Sequence, residues 1–60
     1  MNSITVLIAD DEPNQLELIK FNLEKANFVV ITAENGEQTV AIAQETHPDI
    51  IILDWMMPYM

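Results

Sequence analysis

Three aspartates fall where they can share one ion. Asp10 and Asp11 directly follow an apolar run over residues 4–9, and Asp54 directly follows another over residues 50–53. If the two runs are neighbouring strands, ~4.8 Å apart, side chains leaving their carboxyl ends converge on one point. Carboxylates gathered in a half-buried crevice repel one another by roughly several kcal/mol at intermediate dielectric. Either one of them holds a proton or a hard divalent cation is bound. An all-oxygen donor set with open positions suits Mg²⁺ or Mn²⁺, which keep several waters and bridge to phosphoryl groups. A carboxylate there can act as a nucleophile and take a phosphoryl group as an acyl phosphate. The ion would neutralise charge on the transferred oxygens. Asp10-Asp11-Glu12 alone is an ordinary helix-capping sequence, and one acid closing a strand is equally common. Their coincidence at one edge is what points to chemistry.

The elements that must deliver these acids follow from the apolar pattern. Ile50-Ile51-Ile52-Leu53 shows no alternation and is rich in β-branched side chains, which predicts a strand apolar on both faces. It reads as a central strand of a parallel sheet, covered by helices on both sides, with Pro58 preventing its continuation. Residues 4–9 form a similar strand. Pro13 suits the first position of a helix, with Asp11 or Glu12 as its cap. Leu16, Ile19, Leu23 and Ala26 then recur at helical spacing, Leu18 and Phe21 widening the stripe, and Asn27 closes the helix. Residues 28–32 predict a short strand and Asn35-Gly36 a turn. A second helix over 37–45 follows, with Val40 and Ala43 as its main apolar contacts, Ala41 and Ile42 blurring its amphipathicity, and His47-Pro48 as its stop.

The order is β-α-β-α-β. Crossovers of this length predict parallel strands with right-handed connections. If the first strand lies in the middle, the spatial order is 2-1-3. That is the first half of a flavodoxin-like, doubly wound α/β sheet, whose switch point lies between strands one and three.

The chain has 60 residues, near the lower limit for an independent core, and half of them are hydrophobic. It has no cysteine and a net charge of −8. The charge argues against direct binding of nucleic acid or anionic lipid by this segment. No signal-peptide pattern or membrane-length apolar run occurs, which predicts a soluble, cytoplasmic protein.

Ala9-Asp10-Asp11-Glu12-Pro13-Asn14, Ala33-Glu34-Asn35-Gly36-Glu37 and Pro48-Asp49-Ile50-Ile51-Ile52-Leu53-Asp54-Trp55-Met56-Met57-Pro58 together resemble the receiver domain of bacterial two-component response regulators. The three segments are collinear with that family over nearly the whole chain. The resemblance implies that Asp54 is the phosphoacceptor, receiving a phosphoryl group from the phosphohistidine of a sensor histidine kinase. It implies Mg²⁺ held directly by Asp11, Asp54 and the backbone carbonyl of Met56, with Asp10 acting largely through water. Trp55 resembles the subgroup with a winged-helix DNA-binding output domain.

The chain also departs from the family. Asn27 stands where the family usually has Gly, Thr39 where it usually has Ala, and Tyr59 is unusual. The family's domain is about twice as long and continues through strands four and five. Those supply a Ser or Thr that bonds the phosphoryl group and a Lys that pairs with it. Lys20 and Lys25 are no substitute, since they fall roughly 10 and 18 Å down the first helix from its acidic end. Residues 1–60 therefore read as a truncated receiver domain without an output domain, a signalling phosphoacceptor and not a turnover enzyme.

Two other functions fit the residues. One is an inactive receiver fragment, acting at most as a protein-interaction or structural remnant. The other is a Mg²⁺-dependent phosphohydrolase, with Glu12 as the second acid. Without a fourth strand, Ile50–Leu53 becomes an edge that invites self-association. His47 reads as a solvated side chain favourable to the helix dipole. Trp55, Met56, Met57 and Met60 read as packing residues.

Overall fold

The computed structural model describes residues 3–53. Its elements are β1 (Thr5–Ala9), α1 (Pro13–Lys25), β2 (Val29–Ala33), α2 (Gly36–Thr46) and β3 (Ile50–Leu53). The strands form one parallel sheet in the order β2-β1-β3. Thr5 pairs with Val29 and Ala9 with Ala33 on one side of β1; Val6 pairs with Ile50 and Ala9 with Leu53 on the other. The α/β class and the 2-1-3 order are those read from the sequence.

Because successive strand residues face opposite sides, β1 builds two cores. Val6 and Ile8 pack with Leu16, Ile19, Leu23, Phe28 and Val30 on the α1 side. Leu7 and Ala9 pack with Ala33, Ile31, Ile42 and Ala43 on the α2 side. The first crossover runs from β1 to one neighbour and the second returns past β1 to the other. Right-handed connections then put the two helices on opposite faces.

Both helix ends are made by local chemistry. Glu12 is the N-cap of α1, its side chain accepting from the Asn14 N–H at 3.3 Å, and Pro13 occupies the first turn. At the other end Asn27 is left-handed, with φ 74°. Its N–H donates to Glu24 O at 3.0 Å and that of Phe28 to Leu23 O at 3.1 Å. This is the Schellman pattern, completed by Phe28 and Leu23 packing in the same cluster. Asn35 caps α2, accepting from the Gln38 N–H at 2.8 Å. His47 ends it with φ 49° and ψ 61°, its N–H on Ala43 O at 3.0 Å.

Several expectations need correction. Ile50–Leu53 does not take the covered central place first read for it but the edge place expected without a fourth strand: β1 is central, and the four side chains of β3 are between 40% and 46% exposed. Among the described residues no helix packs on it: α1 and α2 pack on β1 and β2. Leu18 and Phe21 are 61% and 62% exposed and do not widen the packing stripe. At 3.6 residues per turn, Leu16, Ile19 and Leu23 lie within about 60° of one another, and those two fall on the opposite half of the helix. Ala26, at the C-cap, is also exposed. On α2, Val40 is 57% exposed and the inward side chains are Thr39, Ile42 and Ala43. Thr39 is tolerated there because its hydroxyl donates to Asn35 O at 2.7 Å within the helix. The second strand starts and ends one residue later than expected, and α2 gains one residue at each end.

Candidate functional site

β1 delivers the acidic segment to the carboxyl edge of the sheet. Asp10 follows Ala9 at the centre of that edge and is only 5% exposed. Its N–H donates to Ala33 O at 3.1 Å, which prolongs the β1–β2 ladder by one residue. Its Oδ1 accepts from the Glu12 N–H at 2.9 Å, turning the chain toward α1. Side chain and backbone therefore hold Asp10 rigidly at the rim. Asp11, next in the chain, is exposed.

The opposite wall is β3. Leu53 pairs in register with Ala9, so the ends of β1 and β3 lie level. A crevice of about 270 Å³ opens between them, lined by Ile8, Ala9, Asp10, Gln15, Ile19, Ile52 and Leu53. Its lining is mostly aliphatic, and Asp10 is the acidic residue in it. A larger groove, about 380 Å³, lies on the β2 side of α1, between Leu16, Lys20, Thr32 and Glu34. It contains no acid from the end of β1, so the smaller crevice at the switch point is the better candidate.

Asp54 and Met56 lie outside the described residues, as do Trp55, Met57, Pro58, Tyr59 and Met60. Of the sequence-derived site, the structure thus brings Asp10 and Asp11 to the edge shared with Leu53. Among the described residues, no group of three or more His, Cys, Asp or Glu side chains is arranged to hold a metal. The donors that are described, Asp10 and the exposed Asp11, are hard oxygen ligands of the type that Mg²⁺ takes. Glu12, the acid a hydrolase would need, serves as the cap of α1. Lys20 and Lys25 lie in α1, and Lys25 places its Nζ 5.7 Å from the Phe21 ring centroid. Gln15 and Ile19 line the crevice.

Comparison with known proteins bears on the family and the fold. The family model described as the response regulator receiver domain matches residues 6–60. The chain is 42% identical over 53 residues to the alkaline phosphatase synthesis transcriptional regulatory protein PhoP of Bacillus subtilis, covering 88% of this chain and 22% of that protein. It is 44% identical over 54 residues to the phosphate regulon transcriptional regulatory protein PhoB of Pseudomonas aeruginosa, covering 90% and 24%. Among solved structures, the chemotaxis response regulator CheY4 of Vibrio cholerae superposes with a TM-score of 0.93 at 34% identity, over 98% of this chain and 49% of that one. The chain thus spans about a quarter of those curated relatives and half of that solved neighbour. Its three parallel strands and two helices are flavodoxin-like, and the chain belongs to the response regulator receiver domain family.

Proposed function

We propose that this chain is a phosphoacceptor module in which Asp54 takes a phosphoryl group from the phosphohistidine of a sensor histidine kinase in the cytoplasm. The observation that carries the reading is the level pairing of Ala9 with Leu53, with buried Asp10 following the first. In the sequence Asp54 is the residue that directly follows Leu53.

The Asp54 carboxylate attacks phosphorus, the bond from phosphorus to the histidine nitrogen breaks, and an acyl phosphate forms on Asp54. Asp11, Asp54 and the Met56 carbonyl are the residues that would hold Mg²⁺ or Mn²⁺, with Asp10 acting through water. The ion supplies charge neutralisation for the transferred oxygens. Asp10, fixed by the Glu12 N–H and by its ladder bond to Ala33, keeps one acidic residue in the crevice without a conformational search. The relatives' names describe transcriptional regulators, but the reading for this chain is limited to the phosphoryl-accepting step.

The test is intact mass after incubation with Mg²⁺ and a small phosphodonor. We expect an acid-stable, base-labile adduct that is absent in Asp54→Asn. A folded sample that gains no adduct favours the second reading, an inactive interaction remnant. That reading draws support from β3, which presents aliphatic side chains on both faces. Self-association through the Ile50–Leu53 edge belongs to either reading.

A further inference from the structure

The chain contains one glycine, and it follows an asparagine: Asn35-Gly36. An asparagine side-chain amide can be attacked by the backbone nitrogen of the next residue, closing a five-membered imide. A following glycine, having no Cβ, hinders this least. In the structure the same pair begins α2 and is restrained at several atoms. Asn35 is extended, with φ −157° and ψ 173°, and its Oδ1 accepts from the Gln38 N–H at 2.8 Å. Its carbonyl oxygen accepts from Thr39 N–H at 3.0 Å and from Thr39 Oγ1 at 2.7 Å. Gln38 reaches back to accept from the Glu34 N–H at 2.9 Å. Gly36 is buried and adopts no positive φ.

We propose that Asn35 is a self-modification site whose conversion is gated by opening of the first turn of α2. Attack requires the Gly36 nitrogen to swing toward Asn35 Cγ, which turns ψ out of the extended region and breaks the bonds to Gln38 and Thr39. In the reaction the Gly36 N–Cγ bond forms and the Cγ–Nδ2 bond breaks. The Gly36 proton leaves with the amide nitrogen as ammonia. Water then opens the imide at either carbonyl, giving an aspartyl or an isoaspartyl product, with no oxidant or reductant needed. The two products have opposite consequences. An aspartyl residue remains a good N-cap, whereas an isoaspartyl linkage adds a methylene to the backbone and displaces the carbonyl that Thr39 holds. That linkage would sit two residues beyond Ala33, whose carbonyl receives the Asp10 N–H.

The experiment is peptide mapping by mass spectrometry at mildly alkaline pH, with the whole chain incubated in buffer and in urea. In urea, position 35 should convert faster than Asn14, Asn22 or Asn27, and Gly36→Ala should slow it. In buffer it should react at least roughly fivefold more slowly than in urea, the factor expected from a cap of typical strength. Gln38→Ala keeps the backbone N–H on Asn35 Oδ1 but removes the side-chain acceptor of the Glu34 N–H that closes the turn, so it should speed the reaction in buffer and leave the urea rate unchanged, while Gln38→Glu, which keeps that acceptor, should stay slow. Equal rates in buffer and urea for the wild-type chain, or no acceleration in Gln38→Ala, would overturn the proposal. It is independent of whether Asp54 accepts a phosphoryl group.

Discussion

Asp10 and Asp11 are adjacent in the chain and opposite in environment. Asp10 is buried and accepts from the Glu12 N–H, whereas Asp11 is exposed. Their substitutions should therefore separate structure from ion binding. On the proposed function Mg²⁺ should alter the emission of Trp55, which adjoins Asp54 in the sequence, and Asp11→Ala should abolish that change and leave the thermal midpoint unchanged. Asp10→Ala should in addition leave the part-buried Glu12 N–H without its acceptor, costing about 1 kcal/mol. Fluorescence titration and thermal melting of both variants check this, and equal melting losses would contradict the distinction. The acids were legible from the sequence because each closes an apolar run. Their unequal burial was not, since it depends on Asp10 continuing the ladder to Ala33.

At the scale of elements, the helix caps show which local rules suffice. Asn27 was readable as a closing residue because asparagine tolerates the left-handed region, and its φ is 74°. His47 carries the corresponding role in α2 with φ 49°, a position where a Cβ is unfavourable. We predict that His47→Gly stabilises the chain by about 1 kcal/mol, the left-handed penalty relieved. That corresponds to a rise in thermal midpoint of about 4–8 °C. A lowered midpoint would show that the imidazole makes a contribution larger than the backbone strain. The exposed Leu18 and Phe21 show where reading by apolar content fails. The angular position of a side chain on the helix, more than its hydrophobicity, decides whether it meets the sheet. Thr39 makes the same point from the polar side: it is buried, while Val40 beside it is exposed.

At the scale of the whole molecule, one strand bears most of the burial. Val6, Leu7, Ile8 and Ala9 are almost fully buried, while every residue of β3 is exposed by two fifths or more. A 60-residue chain has a typical stability of about 3–9 kcal/mol, and removing a buried Leu costs about 2–5 kcal/mol. Leu7→Ala should therefore leave little cooperative unfolding, read by circular dichroism against temperature. A sharp melt close to that of the wild type would show that β1 is not the chief support. The proposed self-association through β3 calls for a different substitution. Ile51 lies on the edge strand and is 46% exposed, so Ile51→Lys introduces the charge by which edge strands avoid pairing. Sedimentation should show a shift toward monomer, and an unchanged distribution would exclude that edge as the contact.

The amino-acid sequence by itself determined the identity and order of the elements, the two ends of α1 and the placement of Asp10 after the first strand. These depend on residue type, period and near neighbours along the chain. Only the tertiary structure decided how Ala9 and Leu53 lie level, how unequally Asp10 and Asp11 are buried, and which side chains of each helix reach the sheet. Those outcomes are set by long-range pairing. Residues 50–53 are apolar enough for either a central or an edge position, and only the presence of neighbours on each side distinguishes the two.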